Sequence, residues 1–248
     1  MKNFFLQQVN LSTFLRTCMV FLFLYSLSWS FCTQGGYMSK FSGNYIVIDG
    51  IDGGGKGVLF EALSKEFPTF SKGEKKFCYT REPGGLSVGE KIREILLHDY
   101  VSPRSEFFLF LAQRKELRDQ LIAPTLLKGV HVISDRSDSS TFAYQIRGRN
   151  TQELEGEFWA TRETFPPLPT LYVFLDLDPK IAAERLRQRK EKGGDRFDNQ
   201  DLEFFIRVRN GFIEFSKKVT TPCLFVDASQ EKEKVAQVVI NYIREHIM

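Results

Sequence analysis

A glycine-rich stretch carries the clearest chemistry in this sequence. Residues 50–57 read GIDGGGKG and follow a short apolar run at 45–48. The pattern G-x-x-x-x-G-K is typical of a phosphate-binding loop, because glycines let consecutive backbone N–H groups converge on phosphate oxygens and the following helix adds its positive end. The alternative is a turn between strand and helix with a chance lysine. We expect Lys56 to reach the outer phosphates of ATP or a similar nucleotide, and the whole loop to surround them: Gly50, Ile51, Asp52, Gly53, Gly54, Gly55, Lys56 and Gly57.

The residue after the lysine departs from the usual pattern. That position normally holds Ser or Thr, whose hydroxyl ligates Mg²⁺, whereas Gly57 and Val58 offer no side-chain ligand here. A glycine just inside a helix also lowers helix stability, by about 1 kcal/mol relative to alanine. Either water and carboxylates such as Asp135 hold the metal, or turnover is weakened, and the sequence leaves both possibilities open.

Two further groups of polar residues follow apolar runs. Residues 80–85 read TREPGG, and Arg81 beside a Pro-Gly-Gly turn is suited to bidentate binding of a phosphate. An ordinary turn with a solvated ion pair is the alternative. Asp135 and Arg136 open the segment DRSDSSTFAYQ. A carboxylate near the phosphate loop can hold Mg²⁺ or its waters, and Arg136 would face an acceptor phosphate.

The elements that must position these residues alternate along the chain. From residue 45 onward, short runs of β-branched and aromatic residues alternate with longer amphipathic stretches, as in repeated β-α units around a parallel sheet. The short runs lack strict apolar–polar alternation, which favours strands with both faces covered by helices. Ligands bind at the carboxyl ends of such strands. We predict strands at 45–48, 77–80, 130–134, 171–176 and 223–227.

The longer stretches predict helices, and two of them have clear starting signals. Ser102-Pro103 and Asp178-Pro179 each place a capping residue before a proline suited to the first helical position. No repeat or low-complexity linker divides the chain after Lys40, so we predict one α/β domain with a five-stranded parallel sheet flanked by helices on both faces. The predicted helices lie near 57–67, 88–98, 103–128 with a break allowed at Pro124, 139–147, 152–164, 179–190, 202–219 and 231–247.

Composition excludes several classes of protein. The 248 residues are 42% hydrophobic and 26% charged, which is ordinary for a globular protein and excludes disorder, collagen and coiled coil as descriptions of the whole chain. The formal net charge of +3 is too small to indicate a dedicated nucleic-acid binder, so we expect no nucleic-acid partner. The four cysteines lack metal-ligand spacing and are too sparse to indicate a disulfide framework.

Residues 1–37 differ from the rest of the chain. No charged residue lies between Arg16 and Lys40, and residues 17–32 read TCMVFLFLYSLSWSFC. The apolar run at 17–32 in this hydrophobic extension is short for a membrane span, which needs about 20 residues, and its length fits a secretory signal better. It could also be an over-extended translation start before a working domain at 38–248. We favour this last interpretation and a cytoplasmic location without membrane contact, because phosphate chemistry depends on cytosolic nucleotide.

Five segments, in order along the chain, resemble the motif series of bacterial thymidylate kinases. A phosphate loop alone indicates only a nucleoside triphosphate, whereas TREPGG followed by DR and AYQ is far more specific. The resemblance extends over residues 44–245 and implies a P-loop kinase fold with a lid segment. It implies transfer of the γ-phosphoryl group of ATP to dTMP with Mg²⁺, giving dTDP and ADP for dTTP synthesis. The segments are residues 45–56, TREPGG at 80–85, FLAQR at 110–114, DRSDSSTFAYQ at 135–145, and DR at 195–196 with RVRNGF at 207–212.

The resemblance also implies roles for individual residues around the acceptor. Arg81 and Arg136 would hold the acceptor phosphate, and Asp52 would lie near that phosphate and the sugar hydroxyl. Phe110 would stack on thymine and Arg114 would hydrogen-bond the base edge, as a flat pyrimidine with carbonyl acceptors requires. Without the resemblance, the apolar neighbours of Phe110 would favour a core position. The rest of the nucleoside pocket would be Ser140, Tyr144 and Gln145.

The basic stretch at 185–196, RLRQRKEKGGDR, has two interpretations. A solvated helix face is the simpler one, whereas the resemblance implies a lid over ATP. In the bacterial kinases that this chain resembles, members whose phosphate loop lacks an arginine, as this loop does, supply the transition-state cation from the lid. The resemblance therefore implies that role for the lid here, an effect of about 10³–10⁵ in rate elsewhere. The candidates are Arg187, Arg189 and Arg196, which would act with Lys56 and Asp135 as the catalytic residues.

Two other functions stay open at this point. Gly57 and the hydrophobic extension together would fit a catalytically weakened or silent nucleotide-binding protein that is anchored to a membrane. A kinase for another nucleoside monophosphate fits less well, because Phe110 and Arg114 suit thymine. The resemblance implies a homodimer, and an apolar stripe within 102–121 could serve as core or as interface: Phe107, Phe108, Leu111, Leu117 and Leu121.

Overall fold

The computed structural model describes residues 41–69, 77–190 and 200–248, apart from the side chains of residues 189 and 190. Within these residues a five-stranded sheet has the order β2-β3-β1-β4-β5, and each neighbouring pair is parallel. This confirms the predicted α/β fold. The strands are β1 (Tyr45–Gly50), β2 (Phe77–Arg81), β3 (His131–Asp135), β4 (Leu171–Asp176) and β5 (Cys223–Asp227).

The central strands are buried on both faces, as their unbroken apolar sequences predict. All six residues of β1 are buried, and β4 is buried except at its last residue. The edge strands β2 and β5 are more exposed and less uniformly apolar. All strands run in one direction, so their carboxyl ends lie at one edge of the sheet. The phosphate loop after β1 and the DR segment after β3 therefore lie at that same edge.

Helices follow the predicted stretches to within one or two residues at most ends. Ser102 caps its helix by accepting a hydrogen bond from Ser105 N–H, and Asp201 accepts one from Phe204 N–H at 2.7 Å. The α-helices are α1 (Lys56–Glu66), α2 (Ser87–His98), α3 (Pro103–Leu117), α4 (Ala123–Leu127), α5 (Asp138–Ser140), α6 (Glu155–Glu163), α7 (Pro179–Lys190), α8 (Leu202–Lys218) and α9 (Lys232–His246).

The break allowed at Pro124 does not occur, because the helix widens ahead of the proline. A π-helical segment, Arg118–Ile122, joins α3 to α4, and Ala123 N–H donates to the carbonyl of Arg118 five residues back. In a regular helix the proline ring would clash with the carbonyl four residues earlier. A second π-helix, Thr141–Gly148, continues α5 and carries two predicted site residues.

The apolar stripe of α3 divides between core and surface. Phe107, Leu111 and Leu117 are buried, so most of the stripe belongs to the hydrophobic core. Phe108 is about half exposed, at 48%. A core role is therefore confirmed for the buried three.

The hydrophobic extension at 1–37 and Arg196 both lie outside the described residues. Among the residues that are described, no helix has the length and apolar character needed to cross a bilayer. The predicted domain start at Met38 stays a prediction.

Candidate active site

The phosphate loop depends on glycine for its backbone path. Gly50 ends β1 with φ near 131°, and a Cβ atom there would lie 2.5 Å from the carbonyl oxygen of Leu175. Gly55 immediately precedes α1 with φ near 87°. Both conformations are strained for residues with a side chain. The loop therefore turns sharply from β1 into the N-terminus of α1, as a phosphate cradle requires.

Lys56 is folded against its own loop. Its buried ammonium group donates to the carbonyl oxygens of Gly50 at 2.9 Å and Ile51 at 3.0 Å, and lies 3.9 Å from the Asp52 carboxylate. Burial lowers the pKa of Lys56, and the neighbouring Arg136 lowers it further, while Asp52 opposes both. Neutral carbonyls are weaker partners for a cation than phosphate oxygens. The lysine is thus held where an incoming phosphate could take over its hydrogen bonds.

Arg136 links the ends of β1 and β3. It adopts the left-handed conformation, with φ near 70°, and its guanidinium is paired with the Asp52 carboxylate. Tyr144 donates to the other oxygen of Asp52 at 2.8 Å and accepts from the Asp52 N–H at 2.9 Å. Ser140 accepts a hydrogen bond from Arg136 at 3.2 Å and donates to the buried Asp49 at 2.7 Å. These contacts connect four of the predicted site residues in one network.

The residues of this network surround a cavity. Arg114 lies beneath that cavity and does not line it. It is only 2% exposed and donates to Glu82 at 2.7 Å and to Thr141 Oγ1 at 2.8 Å. Burial raises the pKa of Glu82, although Arg114 and Arg118 oppose that shift. Within the described part of the chain, Arg114 Nη1 has no hydrogen-bond partner. That nitrogen is itself buried, so the guanidinium serves the network beneath the cavity.

A second buried charge cluster lies under the backbone that follows Arg136. Asp138 accepts from Arg162 at 2.7 Å and from the Tyr172 hydroxyl at 2.7 Å, and the fully buried Arg118 lies 3.8 Å away. Burial alone would raise the pKa of Asp138, but the Arg162 and Arg118 guanidiniums outweigh it and lower that pKa to about 2. The cluster anchors the segment that carries Arg136.

A cavity of about 540 Å³ opens above these networks. It brings together twelve residues predicted from the sequence, drawn from the phosphate loop, β2, α3 and the segment after β3. Gly50, Ile51 and Gly54 belong to the loop but are buried and do not line the cavity. The twelve are Asp52, Gly53, Gly55, Lys56, Gly57, Arg81, Phe110, Asp135, Arg136, Ser140, Tyr144 and Gln145.

Arg81 lines the cavity while it forms an ion pair at its rim. Its Nη2 donates to both carboxylate oxygens of Glu90 at 3.0 Å, and Gly85 N–H also donates to Glu90, at 2.9 Å. Both charged side chains are about half exposed, so the pair is the solvated kind that contributes little stability. A phosphate could therefore compete for this arginine, and its predicted role stays a prediction.

Two further arginines line the cavity that sequence reasoning missed. Arg93 on α2 donates to the carbonyl of Pro83 at 3.0 Å. Arg185 on α7 donates to the carbonyl of Gly53 at 2.9 Å. Ala182, one turn before Arg185, is buried against the loop, so Arg185 lies on the face of α7 that meets the loop, which the basic stretch alone does not indicate.

The predicted lid arginines are not among the cavity residues that the structure describes. Arg187 is exposed and pairs with Glu184 on its own helix at 2.9 Å. The Arg189 side chain and Arg196 lie outside the described residues. The roles of all three therefore stay predictions.

Asp135 meets one requirement of a magnesium site. It lines the cavity, and among the described residues its buried Oδ1 has no hydrogen-bond partner. Mg²⁺ in nucleotide enzymes is commonly held by one or two carboxylates together with substrate phosphates and water. No group of three or more His, Cys, Asp or Glu that could hold a metal by itself occurs in the described ranges. The residues present fit a cation that the nucleotide helps to bind.

Comparison with known proteins gives a consistent result. The family model for thymidylate kinase matches residues 48–239. The thymidylate kinase of Nitrosospira multiformis is 39% identical over 202 residues, which cover 79% of this chain and 95% of that protein. Those of Kosmotoga olearia and Thermosipho africanus are 34% and 36% identical, covering 79% and 82% of this chain and 93% and 98% of theirs.

The Asp138 cluster yields a prediction about stability and its pH dependence. At pH 7, Asp138→Asn should lower the free energy of unfolding by about 3–5 kcal/mol, because it leaves buried guanidiniums without their counter-charge. The pKa of Asp138 is about 2 in the fold against 3.8 as an ordinary side chain. Its contribution is therefore complete above pH 3.8 and is lost as the pH falls through about 2.

Urea unfolding of both proteins between pH 7 and pH 2 measures this difference. The half-exposed pair of Asp176 with Arg209 provides the matched control, and Asp176→Asn should cost only about 0–1 kcal/mol. A deficit in Asp138→Asn that stays constant down to pH 2 would contradict the assignment.

Proposed function

The chain belongs to the thymidylate kinase family and converts dTMP and ATP to dTDP and ADP, and we propose that this transfer takes place in the cavity above the phosphate loop. The observation that carries the proposal is the meeting of Lys56, Arg81, Arg136 and Phe110 in one cavity of about 540 Å³. Cations suited to two phosphates and an aromatic ring suited to a base thus share one space. The assignment of individual residues below is part of the proposal.

At the acceptor end, the arginines Arg81, Arg93 and Arg136 bind the phosphate of dTMP. Each lines the cavity, and planar guanidinium forks suit phosphate oxygens. Asp52 and Tyr144, which are already hydrogen-bonded to each other, lie beside the sugar. Phe110 stacks on thymine, whereas the contact of Arg114 with the base edge stays a prediction, because the buried Arg114 does not line the cavity. The cavity thus has a charged part and a flat aromatic part, which match the two parts of the substrate.

At the donor end, the loop amides and Lys56 bind the β- and γ-phosphates of ATP. Arg185 contacts the loop from α7 and supplies positive charge where the transferred group leaves. We also propose that Asp135 and the nucleotide bind Mg²⁺ together, with the available Asp135 oxygen as the ligand from the protein. When bound, that ion neutralises charge on the phosphates.

The reaction needs little covalent chemistry from the protein. An oxygen of the dTMP phosphate forms a bond to the γ-phosphorus of ATP while the bond from that phosphorus to its bridging oxygen breaks, and ADP leaves. Lys56 and the arginines hold both phosphates in line and offset their repulsion.

We further propose a cytoplasmic homodimer. Half-exposed apolar residues on two neighbouring helices support a contact surface: Val88 and Ile95 on α2 and Phe108 on α3. Both substrates are cytosolic nucleotides, which supports the location.

A coupled assay tests the function directly. Purified full-length chain, ATP and Mg²⁺ are combined with dTMP, dUMP, dCMP or dGMP in turn, and ADP release is followed. We expect dTMP to be the preferred acceptor. Nucleotide binding without turnover of any monophosphate would instead support the catalytically silent alternative, and preference for another monophosphate would support a different kinase.

The first prediction concerns the cation on α7. Arg185→Ala should lower kcat by about 10³-fold, the lower end of the effect of such arginines, with a small change in KM for dTMP. Arg187→Ala is the matched control, two residues away and also exposed, and should change kcat by less than about threefold. Steady-state kinetics of both variants decide between them. A large loss of kcat in Arg187→Ala but not in Arg185→Ala would assign the role to Arg187. If neither variant lost kcat, Arg189 and Arg196 would remain as candidates.

The second prediction concerns the missing hydroxyl after Lys56. Gly57 is helical and exposed, and a Cβ atom there would have no neighbour within 4 Å. Gly57→Thr should therefore fold, gain about 0.5 kcal/mol of stability, lower the Mg²⁺ concentration needed for activity and raise kcat. Gly57→Val has the same shape without the hydroxyl and should gain only the stability.

Titration of activity against Mg²⁺, with thermal melts alongside, separates these effects. If Gly57→Thr and Gly57→Val show the same dependence of activity on Mg²⁺, then Asp135, water or another carboxylate already completes the metal site.

A further inference from the structure

A buried carboxylate lies directly behind the nucleoside end of the cavity. Glu106, in the first turn of α3, is 1% exposed and accepts a hydrogen bond from the side-chain nitrogen of Gln145 at 2.9 Å. Gln145 lines the cavity and is itself 2% exposed. An acidic side chain and an amide therefore form a pair in which only the amide borders the substrate space.

This pairing determines which end of the amide is available. An ionised carboxylate has acceptors only, so it can bind the NH₂ group of Gln145 but not its carbonyl oxygen. No other hydrogen bond of the Gln145 side chain occurs among the described residues, so its Oε1 lacks a protein partner. The reversed amide would place two acceptors against each other in a buried position, which is costly. Gln145 thus presents an acceptor to the cavity.

The carboxylate is itself held in place by Arg149. The Arg149 guanidinium lies 3.3–3.4 Å from the two oxygens of Glu106 and packs over the Phe204 ring at 5.5 Å. Because Arg149 is only 19% exposed, this ion pair is shielded from solvent. Glu106 therefore has a fixed position behind Gln145.

A fixed acceptor matches one kind of pyrimidine edge. Gln145 lines the cavity, and its Oε1 is an acceptor. Thymine and uracil have an N3–H donor, whereas cytosine has an N3 acceptor. Cytosine would therefore meet an acceptor with its own acceptor. A site built this way rejects the wrong edge because buried polar groups are left unpaired.

We propose that Glu106 is a positioning residue that sets base specificity: by fixing the Gln145 amide, it selects bases with an N3–H donor and rejects cytosine. The proposal rests on the proposed function, because it assigns the base to this end of the cavity. Glu106 does not line the cavity, and the proposed effect is exerted through Gln145.

Glu106→Gln tests the proposal with almost no change in shape. A glutamine can donate as well as accept, so the Gln145 amide becomes free to reverse. We expect kcat/KM for dTMP and for dUMP to fall together by about tenfold, while that for dCMP stays constant or rises. The KM for ATP should not change. A purely structural role would lower kcat/KM equally for all three monophosphates, and it would also lower the melting temperature.

Glu106→Asp is the second variant, since it keeps both the charge and the acceptors. Its preference for dTMP over dCMP should remain near that of the wild type even if its activity falls. Gln145→Met completes a double-mutant cycle. In that background, Glu106→Gln should have no further effect on the preference.

The outcomes separate this proposal from the proposed function. A wild-type chain that is inactive on dTMP would contradict the function itself. A wild-type chain that is active, with an unchanged dTMP-to-dCMP preference in Glu106→Gln, would overturn only the role of Glu106. The role of Glu106 would also be overturned if Glu106→Asp lost as much of the preference for dTMP over dCMP as Glu106→Gln does. That comparison holds even if Glu106→Gln is poorly folded.

Discussion

The ion pair between Asp52 and Arg136 connects the two halves of the site. Asp52 lies in the loop after β1, and Arg136 follows β3, the neighbouring strand in the sheet. Parallel pairing brings these strand ends side by side, and the ion pair, together with the hydrogen bond from Arg136 to Ser140, fixes the orientation of the guanidinium. Arg136 also has a backbone conformation that a side chain normally disfavours. The geometry of the cavity therefore depends on electrostatic contacts strong enough to hold one unfavourable backbone turn.

Buried acids lie close to the basic residues around this pair. Asp49, Glu106 and Asp138 are buried and do not line the cavity. Glu82 is also buried, but it lines the cavity together with Lys56, Arg81, Arg93 and Arg185. Burial raises the pKa of Asp49 and of Glu82, and hydrogen bonds or guanidiniums oppose those shifts. These acids orient donors and offset positive charge, so several cations can be brought close together before any substrate binds.

Much of the fold could be predicted from the sequence, because it depends on local patterns. Apolar runs without alternation marked the strands, and the glycine loop indicated the phosphate site. The burial of Arg114 beneath the cavity could not be predicted, because it depends on Glu82, a residue 32 positions away. Arg185 could not be separated from Arg187 by composition. Their difference lies in which face of α7 meets the loop, and only tertiary contacts decide that. The π-helix Thr141–Gly148 likewise has no periodicity that distinguishes it from an α-helix.

The concentration of cations in the cavity has a consequence for how nucleotides arrive. The chain as a whole has a formal net charge of only +3, so its field at long range is weak. At physiological salt, screening confines electrostatic attraction to about 8 Å, and the cavity's potential therefore extends little beyond its mouth. Encounter is then governed by ordinary diffusion and not by long-range attraction. The clustered charge acts afterwards, by lengthening the time for which an anionic nucleotide stays once it has entered.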